Sequence, residues 1–207
     1  MYLVLVDGEV SVLADDIPGK QKRLWKWNAA RVPGLGVTVF AKEPTRAIVV
    51  YVTNVAGQTM GQASTLAGKV TWTKRASEVK SVEMDKQPDL SWGDGAYHAR
   101  LAFEDGSASL ESLLCSKNAP VKEHVHDKEW EILAVLSGDG TLVKKANGKE
   151  EDVPVASGTF AAIAPGTPHA YKPAGTTPLV AVQLYLPPGP EQRFKKLASD
   201  AKGDAKK

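Results

Sequence analysis

A single cysteine, Cys115, stands in the whole chain, so no internal disulfide can form and the redox compartment stays open. No apolar run approaches 18 residues, which leaves no candidate for a membrane-spanning helix. The opening Met1-Tyr-Leu-Val-Leu-Val carries no basic segment and meets Asp7 early. It does not read as a secretory signal, and a cytoplasmic location is expected. A folded basic face is missing too. The net charge is +2, but residues 193–207 alone hold six Lys/Arg against two Asp, so the remainder is slightly acidic. Neither nucleic acid nor a membrane surface is expected as a partner. Ala198–Lys207 reads as a solvated, frayed end. No stretch before residue 53 shows a helical period. What is present, 207 residues with 43% hydrophobic and 24% charged, is an ordinary globular composition with room for one large or two small domains.

Short apolar or alternating runs bounded by Gly, Pro and Asp predict strands at Tyr2–Val6, Glu9–Leu13, Val37–Phe40 and Ala47–Thr53. Asn54 to Asp94 reads as a connecting region: small and polar at first, with β character at Val70–Thr73 and a charged, helical or irregular Lys74–Met84. Tyr97–Phe103, Ala108–Ser116 and Leu179–Leu186 are further strands. Pro187-Pro188-Gly189-Pro190 stops the last of them, and Glu191–Ala198 follows as a short amphipathic helix. Cys115, within an alternating strand, is expected to be a buried, inert thiol.

The chemistry concentrates between Asn118 and Gly138. In an extended strand His124 and His126 project to one face and Val125 to the other. Glu131 lies five residues beyond His126, an odd offset for one straight strand. The polar Asp127-Lys128-Glu129 offers a turn, after which an antiparallel return would face Glu131 toward the histidines. Two imidazoles and a carboxylate suit a divalent transition metal with coordination positions left open. Glu129 is the reserve carboxylate, and His98 stands apart in a surface or hydrogen-bonded role.

This stretch resembles the first motif of the cupin superfamily: His-x-His, four residues, Glu, six residues, Gly. Asn118 occupies the position of the motif's leading glycine. Gly158, Gly166 and His169 in GTFAAIAPGTPHAY stand at the spacings of the second motif. Ala164 replaces its proline, with Pro165 one place late, and Pro173 replaces its final Asn. The resemblance covers about residues 100 to 187. It implies an all-β fold, the cupin double-stranded β-helix or jelly-roll-like barrel. It also implies one divalent metal (Fe, Zn, Ni or Mn) on His124, His126, Glu131 and His169, with bond lengths of about 2.0–2.2 Å. The implied activities are those of cupin dioxygenases, isomerases and lyases acting on a small oxygen-rich metabolite. A non-catalytic metal-containing binding or structural module is the alternative, because fold does not select among them. Tyr171, Lys122 and Glu111 are candidates for proton transfer. Gln183 and Tyr185, sharing a face of the last strand, are candidates for substrate contact.

An internal repeat accounts for the first half. Leu3-Val-Leu-Val-Asp-Gly8 matches Leu133-Ala-Val-Leu-Ser-Gly138, Gly19-Lys20 matches Gly148-Lys149, and Val32-Pro-Gly34 matches Ala164-Pro-Gly166. Ala47–Val52 matches Val180–Tyr185. Residues 1–53 therefore look like a degenerate, partial cupin unit, the back half of a first unit in a bicupin. Val37 falls at the His169 position and Met1 at the Glu131 position. The expected organisation is 1–53 for this remnant, 54–94 for the connection, 95–190 for the metal-binding cupin domain and 191–207 for a helix and basic tail. A remnant lacking half its strands needs a cover, so its strands are expected to be buried and the protein to be a homodimer.

Overall fold

The computed structural model describes residues 2–14, 21–31, 37–41, 44–50, 80–106, 108–146, 148–175 and 177–204. The chain forms two compact units, Met1–Glu83 and Met84–Lys207. Among the described residues no helix is long and apolar enough to cross a membrane.

The first unit contains β1 (Tyr2–Asp7), β2 (Glu9–Ala14), β3 (Gln21–Trp25), β4 (Asn28–Arg31), β5 (Val37–Ala41), β6 (Arg46–Val50) and β7 (Lys80–Glu83). They form one sheet in the order β6-β1-β4-β7 and another in the order β3-β2-β5. Leu3, Leu5, Val10, Val12, Leu24 and Ala30 make its core. Strand β1 is buried along Tyr2–Leu5, so side chains on both of its faces are out of water.

The second unit adds β8 (Leu90–Trp92), β9 (Tyr97–Glu104), β10 (Ser109–Cys115), β11 (Val121–His124), β12 (Trp130–Ser137), β13 (Gly140–Ala146), β14 (Lys149–Val155), β15 (Phe160–Ile163), β16 (His169–Pro173) and β17 (Leu179–Leu186). Strands β15-β12-β17-β10-β9-β8 form one sheet and β11-β16-β13-β14 the other, all pairs antiparallel. Alternating residues from both sheets, among them Leu113, Leu133, Val135, Leu142, Tyr171 and Leu179, meet in one core. Gly138 sits at the corner between β12 and β13 with φ 110°, and a Cβ there would lie 2.7 Å from the Leu179 backbone, so no other residue fits. Cys115 is fully buried in this core, and burial pushes its thiol up to about 12, as an inert cysteine requires.

The helix α1 (Glu191–Asp204) begins after Pro190. The buried Glu191 carboxylate anchors its first turn, accepting from Gly189 N at 2.7 Å and from the Ser109 hydroxyl at 2.8 Å. Gln192 and Lys195 both bind Glu104 on β9, and Phe194 stacks on Trp92 with centroids 5.3 Å apart.

Four expectations need correction. Ala198 is 2% exposed and the helix continues to Asp204, so that part of the expected frayed tail is ordered by packing. Strands β3 and β4 had no sequence signal: only Leu24 of β3 is apolar and buried beside exposed Lys22 and Arg23, and β4 is the four residues NAAR. Of the expected connection, residues 54–79, including Val70–Thr73, lie outside the described residues, as do the Gly19-Lys20 and Val32–Gly34 repeat matches. Lys80–Glu83 is a strand on β4, and Met84–Lys86 a single 3-10 turn, rather than the end of a helix. Finally, β11 and β12 are not a hairpin. They belong to different sheets, and the polar run between them carries the chain across.

Candidate metal centre

Each donor reaches the centre from a different local structure. His124 ends β11 and stands opposite His169, the first residue of β16, with ring centroids 4.2 Å apart. His126 lies past the strand end, where the chain leaves the four-stranded sheet. Its carbonyl accepts from Gly166 N at 2.7 Å, which ties the crossing to the loop before β16. Val125 points outward and is 45% exposed, as alternation requires. Glu131 enters from β12 in the other sheet, opposite Tyr185 of β17. The sheet switch, not a hairpin, thus turns its carboxylate toward the imidazoles. One nitrogen or oxygen from each of the four residues lies within 4.8 Å of all the others.

The imidazoles are oriented for coordination. His124 Nδ1 donates to Lys122 O at 2.9 Å and His169 Nδ1 to Thr167 O at 2.8 Å, which leaves each Nε2 as the atom facing inward. Glu131 Oε2 is 3.1 Å from His169 Nε2 and 3.2 Å from His126 Nε2. The second contact is off hydrogen-bond geometry, so His126 Nε2 is buried without a partner. Glu131 Oε1 accepts from Gln183 Nε2 at 2.7 Å. Burial would raise the Glu131 carboxyl, but the His126 and His169 imidazoles beside its Oε2 outweigh that and hold it at about 2. Burial and the charge of His169 lower His124. For His169 burial works downward, yet the Glu131 hydrogen bond raises it on balance. An ionised carboxylate, three converging imidazoles and an orphaned inward nitrogen fit a divalent cation.

The centre opens into a cavity of about 330 Å³. Its wall includes Gln183, Tyr185, Tyr171 and Lys122, with Leu113, Leu133, Leu142 and Leu179 between them. The two expected substrate-contact residues, Gln183 and Tyr185, thus stand on the wall, though Gln183 also holds a ligand carboxylate. Tyr185 packs edge-on to His126 with centroids 5.2 Å apart. Burial first, then the Glu131 and Glu111 charges, push its phenol well up. Tyr171 lines the cavity, but its hydroxyl donates to Asp139 O at 2.9 Å and its pKa is raised by burial. Lys122 is exposed at the wall.

Glu111 corrects its expectation. It does not line the cavity; it is fully buried behind the wall as the cross-strand partner of Gln183. Both its oxygens lack a partner, as does Gln183 Oε1, and the nearby Ser109 hydroxyl is given to Glu191. Burial, then the charges of Glu191 and Glu131, raise its pKa well above the usual range and favour the neutral acid. Glu129 is not one of the four converging donors, and His98 bonds Asp89 and Gly95 O instead. Sequence reasoning missed three wall residues, Trp92, Arg193 and Phe194. The spacing of Phe194, Leu197 and Ala198 after a proline-rich stop was the available signal.

Comparison with known proteins agrees with this geometry. Residues 116–185 match the family model described as Cupin domain. The fold resembles Bacillus subtilis oxalate decarboxylase at pH 4.6, with TM-score 0.63 and 13% identity over 89% of this chain and 62% of that one. A deletion mutant of the same enzyme gives TM-score 0.64 at 13% identity and the same coverage. KdgF from Halomonas sp. overlaps 52% of this chain and 94% of its own, with TM-score 0.45 and 12% identity. The chain therefore spans 62% of the length of the Bacillus enzyme, and at this identity the likeness concerns the fold. No curated protein matches. The fold is all-β, of the cupin kind.

Proposed function

We propose that the protein is a metal-dependent cupin enzyme acting on a small oxygen-rich metabolite, of dioxygenase, isomerase or lyase type. The observation that carries this reading is the convergence of His124, His126, Glu131 and His169 on one point, with a mostly apolar cavity opening beside it. These residues would hold one Fe, Zn, Ni or Mn ion. When bound, the ion supplies a Lewis acid, with open positions for chelating oxygens. The chain's own contribution is positional. Lys122 O and Thr167 O fix two imidazole tautomers, Gln183 orients Glu131, and leucines from both sheets exclude water. Lys122 is the wall residue best placed to exchange a proton with solvent. Metal analysis of protein purified without a polyhistidine tag, followed by turnover assays on hydroxy-acids, enediols and diketones, tests the proposal. One equivalent of metal with turnover is expected. Metal-free protein, purified and reconstituted alike, would end it.

A non-catalytic binding module is the second reading. It is favoured by two observations: the Tyr171 hydroxyl is already committed to a backbone carbonyl, and Glu111 is behind the wall. One equivalent of metal and tight ligand binding without turnover would select it. The first unit, in this proposal, is the remnant of a second cupin domain, and two chains associate. Sedimentation of dilute protein is expected to give twice the monomer mass.

A further inference from the structure

The cavity has a charged residue that the metal site does not use. Arg193, the third residue of α1, lines the same cavity as His124, Glu131 and His169. Its neighbours on the helix are committed elsewhere: Glu191 to Ser109 and Gly189, Gln192 and Lys195 to Glu104, and Phe194 to the Trp92 ring. These contacts fix the helix at the cavity wall, while no ion pair among the described residues engages the Arg193 guanidinium. Lys122, from β11, adds a second cation to the wall. Among the described residues the one carboxylate on that wall is Glu131, which the metal would neutralise. The rest of the lining includes leucines and aromatic rings, among them Trp92 and Tyr97, stacked at 5.5 Å.

Building on the metal reading, we propose that Arg193 is a specificity residue for an anionic ligand with two ends. A pair of oxygens chelates the metal, an apolar or aromatic body packs on the leucines of the wall, and a carboxylate elsewhere on the ligand pairs with the guanidinium. Arginine suits this role because its planar fork meets a carboxylate through two parallel hydrogen bonds. A two-carbon diacid would leave most of the 330 Å³ unfilled.

Calorimetric titration of metal-loaded protein with catechol, protocatechuate and dihydrocaffeate separates the two ends of the site. All three carry the same chelating diol, and the last two add a carboxylate at two different reaches. At least one carboxylated probe is expected to bind ten or more times more tightly than catechol. Arg193→Gln is expected to remove that preference while leaving metal content and catechol affinity as they were, and Arg193→Lys to restore part of it. Equal affinity of all three probes in the natural protein, or a preference unchanged in Arg193→Gln, overturns the role of Arg193. Natural protein that holds no metal after reconstitution and binds none of the three probes would instead sink the metal reading, and this proposal with it.

Discussion

The two units share a strand plan but not a site. In the first, β1 pairs with β4 and β6, and β2 with β3 and β5; in the second, β12 pairs with β15 and β17, and β13 with β14 and β16. The registers coincide as well. Tyr2 faces Arg31 where Ile132 faces Ala162, and Val12 faces Val39 where Leu142 faces Tyr171. A bulge falls between Leu5 and Asp7 and again between Val135 and Ser137. Even the corner after the third strand repeats: Trp27 N donates to Leu5 O and Gly158 N to Val135 O, both at positive φ. Ala14 faces Val37 where Lys144 faces His169, so valine stands at the register position of a ligand. The described first unit also has no counterpart of β11, the strand that brings His124 and leads to His126. The same strand pairing therefore forms where the described residues offer no such donors, because backbone hydrogen bonds and apolar alternation do not depend on them.

Making the second unit resemble the first is the sharpest way to test this comparison. His169→Val, the residue the first unit has at Val37, is expected to abolish stoichiometric metal binding in elemental analysis while leaving the far-ultraviolet circular dichroism β-rich. His126→Ala should do the same. Retention of a full equivalent of metal in either would break the assigned difference. Gln183 comes next. The register places Val49 at its position, one residue from the sequence match of Ala47 with Val180. Gln183→Val removes the donor to Glu131 Oε1, and metal affinity measured by chelator competition is expected to fall about 10–100-fold. Unchanged affinity would show that the Gln183 contact orients nothing.

Glu111 belongs to β10, a strand without a counterpart among the described residues of the first unit. Its folded pKa is raised, so the native state keeps a proton that the unfolded chain releases above about pH 4.3. Native stability is then undiminished below that value and declines as pH rises toward the folded pKa, with a slope approaching about 1.4 kcal/mol per pH unit. Glu111→Gln is expected to remove this decline in denaturant titrations, so the two proteins converge near pH 4 and separate by pH 8. Parallel profiles would contradict the buried neutral acid. The smallest effect is expected from Tyr185→Phe: a few-fold change in affinity for the diol probes with metal content intact, read by calorimetry.

How much of this was legible beforehand follows from the range of the interactions involved. The four candidate donors were readable because they stand at the spacings of two short motifs of the cupin resemblance, and β17 was read to its ends because it is apolar except for Gln183. The sheet switch after His126 was not, since it depends on which sheet has room for β12. Strands β3, β4 and β7 carry too little apolar pattern to signal themselves and form because partners with stronger patterns are in place. Arg193 escaped notice for a related reason. Nothing around it marks a cavity residue until Phe194 finds Trp92, about a hundred positions earlier in the chain.

The unpartnered acid at Glu111 also gives the protein a built-in vibrational reporter. A neutral carboxyl in an apolar setting absorbs infrared light apart from the amide bands and from ionised carboxylates, and its frequency rises as hydrogen bonds to it are lost. Glu111 adjoins Gln183, which adjoins Glu131, so a change of charge at the centre alters the field along that carbonyl. Difference spectra taken on metal or ligand addition would carry one carboxyl band that shifts in heavy water and vanishes in Glu111→Gln. The interior would then report on its own occupancy without any label.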